Sequence, residues 1–396
     1  MSTPTWDAAR ENTHAAGLAA KLPPARMKLA DADATTLAEP LTALGPLPAF
    51  PTSSVDGYAV AGGGPWRLSG QVLAGQTAPN IQAGQAIEVA TGAMVPPGTE
   101  AIIRTENSTV DADDRVTGEA RPKPEWREIG EETADGEELL PAGAAVTPAV
   151  LGLAAATGHD AIDVRPKPRA AVLVFGDELA TTGAPRPGQV RDALGPMVPN
   201  ILRRFGAGTV PGFSPRGPIE DTLESHIAVI RAALDDADIV CTTGGTMRGP
   251  RDHLHAALDA LDAKYIVDSV AVRPGFPMLI AALPGGRFVA GLPGNPQSAV
   301  VALVSLVVPL IDGMSGRSLA PLSKVTLGAD IAGRGDDTHL ALVRIDHDGL
   351  AYPTGHTGSS MLRGLAGGHG FVVIDPGTSA SAGDRVRFVP VPGAAA

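Results

Sequence analysis

The sequence predicts a multidomain protein of α/β plus β class, with a mostly parallel α/β domain set among β-rich domains. Three observations lead there. In the middle of the chain, short apolar runs alternate with segments of helical period. To either side the pattern breaks into brief alternating stretches punctuated by Gly and Pro. At 396 residues the chain is too long for one hydrophobic core, so two to four domains are expected.

Taken in order, residues 1–20 are expected to form a helix packing on the α/β domain. Residues 21–43 and 139–165 carry complementary fragments, LADADATTLAEPL and LLPAGAAVTPAVLGLAAATG, that read as one domain interrupted by an insertion. The insertion, residues 44–138, holds turn-rich β pieces such as GPLPAFPTSSVDGYAV. RPKPR, at 165–169, is a stiff linker. The α/β domain spans 166–315. It opens on AAVLVF at 170–175, a continuous apolar run of the kind buried on both faces of a sheet. Leu223, Ile227, Ile230 and Leu234 follow at helical spacing, then a strand at 239–241. Further strands are expected at 265–272 and 287–292, and a closing helix at 297–312. Residues 316–396 return to short alternating strands, LALVRIDHDGLAYP and GFVVID, and form a C-terminal β domain.

Composition narrows the function classes. A formal net charge of −12 opposes a general nucleic-acid surface, which needs clustered Lys and Arg. An anionic ligand would have to be held by loop amides, helix N-termini, a few arginines or a divalent cation. The single cysteine, Cys241, rules out an internal disulfide framework. The N-terminus lacks the basic and apolar regions of a signal peptide, and the longest apolar run, 299–311, is too short for a bilayer. A soluble cytoplasmic protein without a membrane span is expected.

Three loops follow apolar strands of the α/β segment, where ligands of open parallel sheets sit. Gly176-Asp177-Glu178 puts two acids past a strand end, able to hold a hard cation with substrate phosphate, although the same residues describe a solvated loop. In CTTGGTMRGPRD, 241–252, two glycines let backbone amides approach an anion, with Arg248 and Arg251 nearby. Asp252 by itself reads best as the cap of a helix beginning at His253, and His253 and His255 read as surface positions. In GLPGNPQSA, 291–299, Asn295 and Pro296 describe a sharply started helix whose free amides suit an anion. Outside the sheet, Asp56 and Thr91 lie on tight turns.

In this order the loops resemble the molybdopterin molybdenumtransferase family, which includes bacterial molybdenum-insertion enzymes and the E domain of gephyrin. The resemblance rests on SSVDGYAV, VATGAMVPPGTEAIIRTEN, REIGEETADGEELLPAG, VLVFGDEL with GQVRD, CTTGGTMRGPRD, VRPGFP, GLPGNPQSA and GHTGSSMLRGLAGGHGFVVI, across almost the whole chain. It implies a linking domain, an inserted β domain, a molybdopterin-binding α/β domain and a C-terminal β barrel. It also implies a homodimer whose site lies between the α/β domain of one subunit and the inserted domain of the other. The implied reaction joins adenylylated molybdopterin and molybdate, with Mg2+, and releases AMP. Catalytic roles then fall to Asp56, Thr91, Glu178 and Asp252, with Glu178, Asp252 and Glu132 toward the metal. Ligand binding falls to Gly176, Asp177, Asp192, Thr243, Gly244, Gly245, Thr246, Arg273, Pro293, Asn295, Pro296, Ser298 and Ser359.

The chain departs from the family at three places. Where KPGKP is usual it has Arg273-Pro274-Gly275-Phe276-Pro277, so a phenyl ring replaces an ammonium. GED becomes Gly130-Glu131-Glu132, and Leu340-Ala341-Leu342 stands where an arginine is expected. Losing two cations at an oxyanion site costs several kcal/mol if each charge-assisted contact contributes ~1.5–3 kcal/mol. An alternative is a gephyrin-like dimeric scaffold that binds a peptide of a partner protein, such as the cell-division machinery, with little or no catalysis. A carrier that binds molybdopterin without inserting metal is a third possibility.

Overall fold

A computed structural model describes residues 3–210, 216–247, 249, 252–356 and 358–391. At its centre is a seven-stranded sheet. Arg169–Phe175 pairs in parallel with Ile239–Thr243, which pairs in parallel with Arg287–Leu292. Val174 lies beside Thr243, and Thr243 beside Leu292, so the three strands end level. Gly208–Thr209 and Arg216–Ile219 add parallel pieces beside the first strand, while Leu279–Leu283 and Lys264–Asp268 complete an antiparallel edge. The sheet is therefore mostly parallel, as the alternation of strand and helix implies.

The apolar run at 170–175 is buried because both faces of its strand are covered. Ala170, Val172 and Val174 join a core with Val198 and Leu202 on one face. Ala171, Leu173 and Phe175 join Ile230 and Leu234 on the other. Alternate side chains of a strand point to opposite faces, so the unbroken run serves two cores at once. Each fully buried aliphatic side chain contributes roughly 1.5–3 kcal/mol relative to exposure.

The expected strand at 265–272 is in fact two. Lys264–Asp268 stays in the central sheet, the chain turns at Ser269 (φ 72°), and Val272–Arg273 pairs in parallel with Thr338 and His339. Those residues belong to a closed barrel of Ser323–Leu327, Thr338–Ile345, Leu350–Pro353, Gly370–Ile374 and Arg385–Pro390. Closure comes from Thr338–Ile345, which pairs with both Leu350–Pro353 and Gly370–Ile374 and leaves no free edge among the five. Arg273 is thus carried from the α/β layer onto the barrel.

Toward the N-terminus, Ala25–Lys28 pairs with Ala161–Arg165, and Leu41–Thr42 with Glu138–Leu140, so the two flanks meet. Between them lies a six-stranded sheet of residues 57–118.

The helical stretch Pro296–Met314, with a π-helical turn at Leu303–Val307, is longer than the segment read from sequence. It is long and apolar enough to cross a bilayer, yet 89% of it is buried in the protein. The helix Trp6–Ala19 covers it. Trp6 is fully buried and its Nε1 donates to Ser305 Oγ at 2.8 Å. The helices approach so closely that a β-carbon on Gly17 would lie 2.5 Å from the Leu310 carbonyl oxygen. Backbone cannot swing aside as a side chain can. Gly17→Ala should therefore destabilise by about 1–3 kcal/mol, read as an earlier unfolding midpoint in urea. The exposed neighbour Leu18→Ala should shift it by less than about 0.5 kcal/mol.

Candidate functional site

The level ends of the three parallel strands bring the three candidate loops onto one rim of the sheet. The first loop begins at buried Gly176 and exposes Asp177 and Glu178. Asp177 Oδ1 accepts the Asp221 N–H at 3.3 Å. The Glu178 carbonyl accepts from Val190 N–H at 2.9 Å, and Leu179–Ala180 then pairs with Val190–Arg191. That short ladder delivers Asp192, whose Oδ1 accepts from Gly195 N–H at 2.9 Å at the start of helix Leu194–Arg204. Asp192 therefore also sits at a helix start, and its carboxylate is partly engaged there.

In the second loop Gly244 and Gly245 both have left-handed backbone, φ +80° and +65°. Only glycine takes two such residues in succession cheaply. Gly244 N–H is not free for a ligand, because it donates to the Leu292 carbonyl at 2.9 Å. The amides of Gly245 and Thr246 make no hydrogen bond among the described residues and are the available donors. Buried Thr242 Oγ1 also lacks a partner. Arg248 and Arg251 lie outside the described residues.

Two readings of the helix that follows are corrected. It begins at Leu254 with His253 at its N-cap and no side-chain cap. Asp252 folds back instead, and its Oδ2 accepts Gly249 N–H at 2.7 Å. His255 is not on the surface but buried, between Tyr265 Oη (2.9 Å from Nδ1) and the Thr246 carbonyl (3.5 Å from Nε2). A carbonyl only accepts, so Nε2 carries the proton and Nδ1 takes the tyrosine's. The pair supports the second loop from below.

In the third loop Asn295 occupies the N-cap position before Pro296, yet its side chain makes no capping bond. It lines a cavity of about 980 Å³ with Arg273, Pro293, Ser298 and Ser359. The Ser359 carbonyl accepts Gln297 N–H at 2.9 Å, tying the barrel loop to the helix start. Gln297 also lines this cavity, and its buried Oε1 has no partner among the described residues. Phe276, Ala341 and Leu342 form apolar wall, so two departures seen in the sequence meet on one surface. Arg273 Nε donates to Asp337 Oδ2 at 2.8 Å, and its guanidinium lies 5.2 Å from the Phe276 ring centre. A second cation, Arg334, lines the same cavity and was missed in the sequence. Its signal was there: an arginine between two glycines just before a barrel strand.

Asp56 and Thr91 are neighbours. Asp56 Oδ1 accepts Thr91 N–H at 2.6 Å and the Thr91 hydroxyl at 2.9 Å. The amide and then the hydroxyl hold the Asp56 carboxyl below its ordinary pKa, so it is ionised at neutral pH. Neither residue lines the cavity. Among the described residues neither they nor Glu132 bond to the three rim loops. Glu178, Asp252 and Glu132 form no preassembled cage; the metal-type donor cluster among the described residues is Asp346, His347 and Asp348, on a turn of the barrel. Burial pushes the Cys241 thiol up to about 12, so it stays protonated and is no nucleophile.

Comparison with known proteins gives matches along most of the chain. Residues 5–158 match the model of the MoeA N-terminal region (domain I and II), 171–313 a probable molybdopterin binding domain, and 324–391 the MoeA C-terminal region (domain IV). The chain is 33% identical over 286 residues to a molybdopterin molybdenumtransferase of Haemophilus influenzae, covering 68% of each chain. It is 31% identical over 353 residues to molybdopterin molybdenumtransferase 2 of Mycobacterium tuberculosis, covering 83% of this chain and 85% of the relative. The molybdopterin biosynthesis moeA protein of Pyrococcus horikoshii has the same fold, with a TM-score of 0.77 at 20% identity over 98% of this chain and 99% of that one.

The left-handed backbone at Gly245 yields a direct expectation. Gly245→Ala should cost about 1–2 kcal/mol from the conformation alone, seen as a lower midpoint in urea.

Proposed function

Because the chain belongs to the molybdopterin molybdenumtransferase family, enzymes of molybdenum cofactor biosynthesis, we propose that it inserts molybdate into adenylylated molybdopterin and releases AMP. The observation that carries this reading is the convergence of three loops on one rim of the sheet, the first bearing Glu178 and the second both Asp252 and free amides.

In this reading the Gly245 and Thr246 amides receive a phosphate of the substrate, which carries its charge into a protein of net −12 at a loop, 241–252, that holds no lysine. Glu178 and Asp252 supply hard oxygen donors, and the lack of a full protein cage suits Mg2+, which favours one or two carboxylates with substrate phosphates and water. Bound there, Mg2+ would offset phosphate repulsion and polarise the phosphoanhydride. Asp192 and Asp177 help hold the loops that carry these acids. Molybdate would enter the neighbouring cavity, toward Arg273, Ser298 and Ser359.

Asp56, Thr91 and Glu132 are apart from this rim within one chain, which supports a homodimer in which they reach a second copy's site. With site residues drawn from two subunits, variants inactive for different reasons complement each other. Asp56→Ala and Asp252→Ala should each abolish AMP release, followed with adenylylated molybdopterin, molybdate and Mg2+. Mixed after dissociation and reassociation, they should recover about a quarter of wild-type turnover, since half the dimers are mixed and each holds one intact site. Recovery of nothing would refute the shared site, and no AMP from the wild type would refute the reaction.

The apolar wall of the cavity favours a second reading, a gephyrin-like scaffold whose groove takes a peptide of a partner such as the cell-division machinery. Arg273 is already paired with Asp337, and Phe276, Ala341 and Leu342 offer contact area rather than charge. Phe276→Lys should then abolish partner capture in a pulldown while sparing AMP release. A pulldown empty of partners beside robust AMP release disposes of this reading.

A further inference from the structure

Beneath the first two rim loops lies a histidine that no step above uses. His226, on helix Leu223–Leu234, is 2% exposed. Its ring stacks on Phe175, the last residue before Gly176-Asp177-Glu178, with centroids 3.7 Å apart and planes 13° from parallel. It also meets His253, the residue after Asp252, edge-on at 5.8 Å and 63°. The polar contacts repeat the connection. Asp221 Oδ1 is 3.7 Å from His226 Nε2, and Asp221 N–H donates to Asp177.

The ring is neutral. The Thr222 carbonyl lies 2.9 Å from Nδ1 and can only accept, so Nδ1 holds the proton. Burial pushes the ring's pKa below its ordinary value, and the Thr222 hydrogen bond and the nearby Asp221 charge only partly oppose this. The helix does not need a histidine to pack, because Ile230 and Leu234 of the same helix fill the core with aliphatic groups. What the flat ring adds is two aromatic contacts of different geometry, one to the residue that leads into the Glu178 loop and one to the residue after Asp252.

We infer that His226 is a positioning residue that braces the Glu178 loop and the Asp252 loop against one ring and so sets the separation of the two carboxylates. Its importance for turnover rests on the proposed reading that both acids serve one substrate. The brace itself does not, and the test separates them.

His226→Leu fills the core without a flat ring, whereas His226→Phe keeps the ring and drops its polar contacts. Amide hydrogen exchange of the ligand-free protein is measured at 176–178 and at 252–253, together with kcat and KM for AMP release. His226→Leu should speed exchange in both segments and lower kcat about tenfold with KM little changed, since misplaced groups chiefly cost rate. His226→Phe should restore both. Unchanged exchange, a change in one segment only, or failure of Phe to restore what Leu removes would overturn the brace. Exchange that responds in both segments, with Glu178→Gln and Asp252→Asn leaving AMP release intact, would uphold the brace and refute the reading of the acids.

Discussion

Everything at the rim depends on three parallel strands ending in register. Val174, Thr243 and Leu292 lie side by side, so the loops that follow them start from one line. Parallel pairing, with each strand reached by a crossover, points all the carboxyl ends the same way, and the register brings them level. A slip of one residue would turn each alternate side chain from one core to the other, exchanging Val172 and Val174 for Ala171 and Leu173. The two cores that cover the sheet therefore also fix the site, and the link from sequence to function runs through burial.

The same register explains how an acidic chain gathers donors for an anion. Gly244 gives its amide to Leu292 and so anchors the second loop to the third, while the next two amides make no hydrogen bond among the described residues. His255 and Tyr265 hold that loop from the core side. Charge at the neighbouring cavity is arranged differently. Arg273 arrives from the α/β layer through the two-residue strand that joins the barrel, and Asp337 meets it there. The cavity exists because one chain segment belongs to both layers.

Much of this was legible in the sequence, for physical reasons. AAVLVF announces a strand covered on both sides, and PGNPQSA a sharply begun helix, because burial and backbone restriction leave local marks. Other features leave none. The break at Ser269 falls between two apolar runs, 265–267 and 270–272, close enough together to look like one strand; the barrel competes for the second. Asp252 looks like a cap because an acid before a helix usually is one, yet the Gly249 amide is nearer. His255 looks like a surface position, and only the tertiary packing reveals it, and His226, as buried supports. Arg334 enters the cavity from a loop whose direction depends on barrel closure.

The most direct test is a crystal structure of the protein with adenylylated molybdopterin and Mg2+. A substrate phosphate should lie within hydrogen-bond reach of the Gly245 and Thr246 amides, with Glu178 and Asp252 on the same side. A pterin nucleotide seated elsewhere, with those amides facing only water, would contradict it.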